Sequence, residues 1–381
     1  MTTRTLIVGA GEADRRPRPG RTATDLAVEA SLAALADAGL EIGAIDGVIT
    51  GPTVAEDHLD FSAIVAQELG IRPRFSGTVS RSGATGASLV VSAAMALNSG
   101  ICDTVLALWA DNRSSATDVD LVATFASLLT PYELAYGPLV ATQYALIAQR
   151  YLADQGVTAE QMASVSVAFR EHASRNPQAR YRTPITVQDV LASPMVSSPL
   201  HRLECALVTD FGGAVVMTRK DRASKFKDPV EILGFGQSVT HDSILCAPEL
   251  FTPDYQGIHD CGQRAFAMAG LAPRDIAMAQ LYDCFTVTVL LELEGLGFCK
   301  QGQAGAAVAE GLLGRAGPLP SNTNGGMLSC ANGGILHVTE AVAQMRGTAG
   351  ERQLVQRPGT ALVHGNGGIL ASHATLILGQ G

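Results

Sequence analysis

The residues best suited to proton transfer lie in the C-terminal half of the chain, next to glycine-rich turns. Tyr282 ends an apolar, strand-like segment and stands beside Asp283. A neutral phenol, with a pKa of about 10, can donate a hydrogen bond and take the proton back, so we predict that Tyr282 is an acid–base group. His364 precedes GNGG at 365–368, where an imidazole with a pKa of about 6.5 could move a proton and glycine N–H groups, including that of Gly367, could bind an oxyanion. The alternatives are a buried Tyr with a satisfied hydroxyl and a strand-end His capped by a carbonyl.

Further candidates surround the turn SNTNGG at 321–326, in which Gly325 and Gly326 allow close approach to the main chain. Asn332 could donate its side-chain amide to a substrate oxygen. His337 lies five residues farther on, so a helix there could turn it toward this site or elsewhere. We interpret Cys330 as a small buried thiol in preference to a displaced nucleophile.

The stretch 78–100 is the element around which we expect these groups to be arranged. It opens with small and polar residues, among them Ser82 and Gly83, and continues as a run that is apolar on nearly every side. A helix that is apolar all round is normally buried, and its N-terminal N–H groups offer a positive dipole end to a ligand. Such a position suits a nucleophile with a lowered pKa, but no Cys occupies it. Helix capping is the alternative role for Ser82.

Length and composition restrict the class of protein. The chain has 381 residues, 47% apolar and only 17% charged, which favours a large core or an oligomer interface. A net charge of −9 without a basic run argues against nucleic acids and anionic membranes as partners. No apolar run has the length of a membrane span, and no spacing of a metal site occurs. Seven scattered Cys indicate a reduced, cytoplasmic protein, and the glycine pairs lack the features of nucleotide-binding loops.

The order of predicted elements repeats once along the chain. In each half a strand is followed by a helix that ends in Gly-Leu and by a second strand, and HGNGGILASHATLIL near the C-terminus mirrors DFGGAVVMT. This duplication predicts two βαβ-rich halves about a pseudo-twofold axis, with parallel-rich sheets buried on both faces. We place the halves at 1–223 and 224–381, with an inserted loop domain at about 114–202. We expect 82–99 and 286–296 to be neighbouring central helices.

From Tyr282 onward, the sequence YDCFTVTVLLELEGLGF resembles the thiolase superfamily, nearest its sterol-carrier-protein-type, lipid-transfer-like branch. Further stretches agree in the same order, namely SPLHRLECALVTDFGGAVV, SNTNGGMLS, EAVAQMRG and HGNGGILASHATLILG. The resemblance spans essentially the whole chain. It implies an α/β fold, the thiolase-like duplicated α/β/α/β/α layering with an inserted loop domain, and usually a dimer.

The resemblance also indicates which chemistry to expect. Matching the family's motifs puts Gly83 at the position of the nucleophilic Cys and Tyr282 at that of an Asn or His. Asn332 then replaces the His of the Gly-His-Pro motif, and His364 replaces the second Cys. Ordinary thiolase chemistry is therefore not expected, because the thiolate that forms the acyl-enzyme is missing. Members of a sub-branch that also carry YDCFT resemble retro-aldolases, which cleave a C–C bond in β-hydroxy acyl-CoA thioesters of steroid side chains.

On that resemblance we expect an acyl-CoA lyase with Tyr282 and His364 as acid–base groups. Coenzyme A enters as part of the substrate, with no separate cofactor. His58 is added to the substrate contacts because its region lines the pocket in relatives. The retro-aldolases use a second Tyr in the loop after NTNGG, which reads LSCANGGILHVTE here and has none.

Two other functions stay open at this point. One is an acyltransferase that works without the usual Cys, and the other is a non-catalytic thiolase-fold partner subunit. For the assembly we expect a homodimer, or a complex with the small OB-fold, zinc-ribbon protein that accompanies the retro-aldolases.

Overall fold

The computed structural model describes residues 5–56, 58–116, 130–136, 139–244 and 255–381. The strands in these ranges are β1 (Thr5–Glu12), β2 (Gly47–Thr50), β3 (Phe75–Thr78), β4 (Thr104–Asn112), β5 (Met195–Ser197), β6 (Leu200–His201), β7 (Asp210–Arg219), β8 (Val230–Val239), β9 (Met278–Gln280), β10 (Thr360–Gly367) and β11 (Ser372–Gln380). The α-helices are α1 (Ala23–Ala38), α2 (Phe61–Glu68), α3 (Thr85–Ser99), α4 (Pro131–Tyr136), α5 (Val140–Gln155), α6 (Ala159–Ser174), α7 (Val187–Ala192), α8 (Tyr255–Ala269), α9 (Thr286–Gly295), α10 (Ala304–Ala309), α11 (Gly326–Ser329) and α12 (Ile335–Arg346).

One mixed sheet runs through the described part of the chain in the order β3-β2-β4-β7-β1-β8-β11-β10-β9. On one side of its middle, β1 pairs antiparallel with β7, β7 antiparallel with β4, and β4 parallel with β2. On the other side, β8, β11, β10 and β9 repeat this series with the same directions. The two series join where Thr5–Ile7 pairs with Val230–Ile232. The predicted duplicated α/β fold is therefore confirmed, but the prediction of parallel-rich sheets is wrong, because most strand pairs of this sheet in the described residues are antiparallel. The boundary at 223/224, inside the short 3₁₀ helix Lys220–Lys225, stays a prediction.

Helices cover the sheet in layers. α1 and α2 pack on one face of the first strand series, where Leu26 and Val65 belong to the same cluster as Leu106 and Val216. α3 and α12 form the middle layer and touch strands of both series. α8 and α9, together with the inserted helices α5 and α6, build the far layer. The sequence signals for α1 act as expected, since Thr22 caps its start and Gly39 ends it in the left-handed region.

The pairing of the central helices differs from the prediction. α3 is buried as expected, but its neighbour in the middle layer is α12 and not the segment 286–296. Glycines allow this approach, since a Cβ on Gly86 would lie 2.5 Å from the main-chain oxygen of Gly334. α9 is also fully buried, because α6, α8 and α10 pack on it in the far layer. An apolar pattern predicts that both segments are buried, but it does not specify which helices pack together.

The inserted segment 114–202 contributes α5, α6, α7 and the β5–β6 hairpin, and its residues 117–129 and 137–138 lie outside the described part. α6 packs against α9 and against α11, which begins at the last residue of the SNTNGG turn. α5 places the ring of Tyr144 with its centroid 4.7 Å from that of Phe285. The inserted segment therefore forms part of the surroundings of Tyr282.

Candidate active site

The ring of Tyr282 lies against Gly83, at the turn that leads into α3. A Cβ built on Gly83 would stand 2.5 Å from Cε1 of Tyr282 and even closer to its Cζ and to the main-chain oxygen of Asn366. The other side of the ring faces Gly334, whose Cβ would lie 3.4 Å from Cε2. The ring thus fills the space that a side chain at position 83 would need, directly before the N-terminal end of the buried helix α3.

Tyr282 reaches this place from the loop between β9 and α9. Its main-chain N–H donates to Oε2 of Glu292 on α9, at 2.9 Å. Within the described residues, its hydroxyl forms no hydrogen bond, so the oxygen remains available to a ligand. Burial, followed by the nearby Cys284 thiol, raises the pKa of the Tyr282 phenol above its ordinary value. The phenol is therefore neutral at physiological pH and can donate a proton.

Asp283 and His337 form a buried pair beside this ring. Oδ1 of Asp283 lies 3.2 Å from Nε2 of His337, and Oδ2 accepts the main-chain N–H of Leu328 at 3.1 Å. The His337 ring centroid is 6.1 Å from that of Tyr282. Gly326 packs on the carboxylate, because its Cβ would lie 2.7 Å from Cγ of Asp283. The predicted candidate His337 is therefore close to Tyr282, with one ring nitrogen facing a carboxylate that holds its orientation.

Asn332 lies at another edge of the site, where its side chain contacts Arg113, a residue that the sequence analysis did not identify. Its main-chain N–H donates to Oγ1 of Thr209 at 2.8 Å, and its side-chain amide donates to the Leu207 carbonyl at 2.9 Å. The guanidinium of Arg113 donates to its Oδ1 at 3.4 Å. Among the described residues, the second hydrogen of the Asn332 amide has no acceptor, so it is available to a ligand.

Arg113 is nearly buried, and its charge reaches Tyr282. Its Nε pairs with Asp111 at 2.8 Å, and its guanidinium lies over the Phe211 ring at 5.3 Å from the centroid. The positive charge acts to lower the pKa of Tyr282, against the larger effect of burial. Arg113 is thus a fixed positive charge at the edge of the site, next to Asn332.

His364 points away from Gly83, contrary to the expected arrangement. Side chains alternate along a strand, and Gly365 of β10 faces the Gly83 turn, so His364 faces the far layer. There its Nδ1 lies 2.8 Å from Oγ1 of Thr375, and its Nε2 lies 3.4 Å from Nδ1 of His373. Burial and then His373 lower the pKa of His364 well below its ordinary value, which keeps it neutral. This placement does not support sharing proton transfer between His364 and Tyr282.

The predicted substrate contacts divide into two groups. Ser82 and Gly367 flank Gly83: Ser82 adopts a left-handed φ of 47°, and a Cβ on Gly367 would lie 2.7 Å from the Gly83 nitrogen. Ser82 also lines a surface cleft of about 580 Å³, together with Arg81, His241 and Gly368. The cleft therefore begins one residue away from the Gly83 turn.

Gly325 and His58 lie apart from this turn. Gly325 packs on α6, where its Cβ would stand 2.5 Å from that of Ala173. His58 precedes α2 in the outer layer, with Nε2 2.8 Å from Glu56 and its ring stacked on Phe61. His58 lies outside α2, because Asp60 caps this helix and its first residue is Phe61. The separation of His58 from the site follows from the sheet between α2 and α3.

Three residues that sequence reasoning missed link to Tyr282 through hydrogen bonds. Asn366 donates its amide to Oε1 of Glu292, and the hydroxyl of Tyr144 donates to Oδ1 of Asn366 at 3.1 Å. Strand alternation was a usable signal for Asn366, because it shares a face of β10 with His364. Nothing local marks Tyr144, which is 222 residues from Asn366 in sequence.

The cysteines in the described ranges are free thiols, and Cys246 lies outside those ranges. Cys330 is buried with its sulfur 2.6 Å from Nη1 of Arg15, and burial raises its pKa above the ordinary value even so. No three potential metal ligands gather anywhere in the described ranges. No helix there is long and apolar enough to cross a membrane.

Comparisons with known proteins agree with the sequence resemblance. Residues 10–197 match the family described as thiolase, N-terminal domain, and residues 236–380 match the thiolase C-terminal domain-like family. A 17-hydroxy-3-oxo-4-pregnene-20-carboxyl-CoA lyase of Mycobacterium tuberculosis is 34% identical over 92% of this chain and 93% of its own. An acetyl-CoA acetyltransferase of Methanothermobacter thermautotrophicus is 32% identical over 92% of this chain and 93% of its own. Among solved structures, the Ltp2-ChsH2(DUF35) aldolase aligns with a TM-score of 0.85 at 34% identity, over 99% of this chain and 98% of that chain.

Proposed function

This chain belongs to the thiolase superfamily, and we propose that it cleaves β-hydroxy acyl-CoA thioesters by a retro-aldol reaction without an acyl-enzyme. One observation carries the proposal: the Tyr282 ring occupies the space at Gly83 where a nucleophilic side chain would stand. Acyl transfer needs a thiolate at that point, whereas retro-aldol cleavage needs an acid–base group there. The similarity to a lyase and to an aldolase supports this choice over acyl transfer.

The proposed reaction balances with a single phenol at its centre. The β-hydroxyl loses its proton, the Cα–Cβ bond breaks, and the β-carbon becomes a carbonyl. The electron pair of the broken bond moves into the thioester enolate, whose Cα then takes up a proton. Because burial keeps Tyr282 protonated, its oxygen passes its own proton to Cα as the Cα–Cβ bond breaks and accepts the proton of the β-hydroxyl in the same step. The hydroxyl oxygen and Cα are two bonds apart, so one phenol oxygen can serve both.

The enolate needs positive charge and hydrogen-bond donors in a site with little water. Arg113 supplies a fixed guanidinium, and Asn332 supplies the amide hydrogen not used by Leu207. The N-terminal end of α3, directly after the Gly83 turn, adds the positive end of a helix dipole. Together these groups would stabilise the charge that develops on the thioester oxygen.

The substrate class follows from the family and from the cleft. We propose that coenzyme A is bound as part of the substrate, with Arg81 in the cleft beside Ser82 as a candidate for its phosphates. The lyase relative acts on a steroid carboxyl-CoA, so a bulky β-hydroxy acyl group is the first substrate to test. No separate cofactor enters the proposed reaction, because retro-aldol cleavage involves no net oxidation.

A partner subunit is also part of the proposal. The aldolase structure that aligns over nearly the whole chain is named for two components, Ltp2 and ChsH2(DUF35). We propose an equivalent small partner for this chain, or a homodimer in its absence, and a cytoplasmic location, which rests on the sequence alone.

The test is to incubate the purified chain, with and without a neighbouring OB-fold protein from its genome, with β-hydroxy and β-keto acyl-CoAs. Products are followed by liquid chromatography and mass spectrometry. Retro-aldol activity yields a shortened acyl-CoA and a ketone or aldehyde, with no requirement for free coenzyme A. Cys330→Ala should leave this rate close to that of the wild type, because its thiol is buried, neutral and not part of the mechanism.

Two results would contradict the lyase function: an acyl group trapped on Cys330, and thiolysis of β-keto acyl-CoA that is abolished in Cys330→Ala. Together they would identify the protein as an acyltransferase. Absence of both reactions in the presence of the partner, with acyl-CoA still bound, would favour the non-catalytic role.

A further inference from the structure

A buried chain of hydrogen bonds connects the inserted segment to the main chain of Tyr282. The Tyr144 hydroxyl on α5 donates to Oδ1 of Asn366, the Asn366 amide donates to one oxygen of Glu292, and the other oxygen of Glu292 accepts the N–H of Tyr282. Tyr144 is 3% exposed, and Asn366 and Glu292 are 0% exposed. The main-chain oxygen of Asn366 also abuts the Gly83 turn. Asn366 thus lies beside the Gly83 turn through its main chain and is linked through its side chain to Glu292, which accepts from Tyr282.

Burial of the Glu292 carboxyl at this place is energetically unfavourable. Within the described ranges it has no Lys, Arg or His partner, and its oxygens are met by the neutral donors of Asn366 and Tyr282. A buried carboxyl without a cation is unfavourable unless hydrogen bonds satisfy it. Burial raises its pKa well above the ordinary value, in agreement with this environment. A side chain that served packing alone would not need two acceptor oxygens here.

We propose that Tyr144, Asn366 and Glu292 are positioning residues that hold Tyr282 in line with the reacting bond, and that the inserted segment controls this alignment through Tyr144. The inference rests on the proposed acid–base role of Tyr282. Glu292 fixes the main chain of Tyr282, Asn366 fixes the Gly83 turn, and Tyr144 fixes the orientation of the Asn366 amide. Loss of one of these hydrogen bonds lets the Tyr282 ring shift in the space beside Gly83, but it removes no group that binds substrate.

Tyr144→Phe is the direct test, because it keeps the ring and removes only the hydroxyl. We expect kcat to fall by about 10- to 100-fold, the effect of misplacing a reacting group by up to about 1 Å, while KM changes less than about twofold. The matched control is Tyr151→Phe on the same helix, seven residues along. The Tyr151 hydroxyl is equally buried and donates to another carboxylate of α9, that of Glu294, at 2.7 Å. In the part of the chain that the structure describes, the contacts of this hydroxyl do not lead to Tyr282, so this variant should keep the kcat of the wild type.

Glu292 gives a second test through two replacements. Glu292→Met leaves the Tyr282 N–H and the Asn366 amide without acceptors, so it should lower kcat at least as much as Tyr144→Phe. Glu292→Gln still accepts from Tyr282, and its own amide can donate to Asn366 if that side chain rotates, with the Tyr144 oxygen then accepting. Glu292→Gln should therefore lose less activity than Glu292→Met. If Glu292→Gln lost more activity than Glu292→Met, the charge of Glu292 would be what matters, and the proposed positioning role would be refuted.

A readout without turnover separates this inference from the proposed function. Uniform labelling with 3-fluorotyrosine gives fluorine resonances for seven tyrosines, which single Tyr→Phe variants assign. We expect Tyr144→Phe and Glu292→Met to shift or broaden the Tyr282 resonance, and Tyr151→Phe to remove only its own. If the wild type cleaves no β-hydroxy acyl-CoA but the resonance responds in this way, the reaction is wrong and the positioning contact stands. If Tyr144→Phe matches Tyr151→Phe in kcat and leaves the Tyr282 resonance in place, the inference is refuted.

Discussion

Returning the family's nucleophile to its position should inactivate this protein. In Gly83→Cys, the new Cβ would lie 2.5 Å from Cε1 of Tyr282 and nearer still to the main-chain oxygen of Asn366. Real Cβ atoms do not approach other atoms to within 3.0 Å, so something must move. The Asn366 oxygen belongs to the main chain of β10, which pairs with His373 of β11 at this residue, so it is costly to displace. The Tyr282 ring is the part that can move, and it would leave the reacting position.

The size of the effect follows from these contacts. Overpacking a well-filled core costs about 1–3 kcal/mol of the free energy of unfolding, and the rigid neighbour at Asn366 puts this site at the upper end. Displacing the acid–base group should lower kcat by about 100-fold or more. No thiolysis should appear in exchange, because the Asn366 oxygen and the displaced Tyr282 ring leave no open space in front of the new sulfur.

Three variants separate steric effects from chemical ones. Gly83→Ala should lose nearly as much activity and stability as Gly83→Cys, since both add the same Cβ. Gly43→Ala is the control, because nothing lies within 4 Å of a Cβ at that position. The rate of acyl-CoA release and unfolding in urea measure the two effects. If Gly83→Ala kept the rate and stability of the wild type, Tyr282 would not depend on an empty position 83, and the reasoning would fail.

The remaining predictions concern single side chains. Tyr282→Phe should lower kcat by at least about 100-fold with little change in KM, as measured by steady-state kinetics. A change in KM alone would mean that Tyr282 binds substrate and does not transfer protons. Arg113→Met should lower kcat by about 100-fold, as for loss of one oxyanion donor, with Arg113→Lys in between; equal rates for both variants would exclude a role for the charge. Because burial and then His373 depress the pKa of His364, the folded state resists its protonation, while unfolded His binds a proton below about pH 6.5. Stability should therefore fall as pH drops below that value, by at most about 1.4 kcal/mol per pH unit from this group, and His364→Gln should show a shallower slope in urea unfolding from pH 7 to 5.

Several features could be predicted from the sequence because they depend on local patterns. Helix α1 follows from its cap residues Thr22 and Gly39 and its apolar face. The repeated strand–helix order indicated two similar halves, and the two strand series of the sheet have the same order of directions. Tyr282 and the missing nucleophile at Gly83 could be identified from motif positions alone.

The sequence could not indicate which distant groups meet. His364 was placed at the site by its motif, but the alternation of β10 turns it toward Thr375, and Asn366 shares that face. The middle-layer partner of α3 is α12, because Gly86 and Gly334 allow two main chains to approach, whereas burial alone favoured α9 equally well.

The sequence by itself therefore determined the layered fold, the empty position at Gly83 and a tyrosine that could act in its place. Only the tertiary structure decided that the Tyr282 ring fills the space at Gly83, that the Arg113 guanidinium lies beside Asn332, and that the Tyr144 hydroxyl of the inserted segment donates to Asn366. The physical reason is that periodicity and capping are set by neighbours within a few residues of the chain. A contact across 222 residues depends instead on how whole helices and strands pack, and one glycine or one strand face decides which side chains meet.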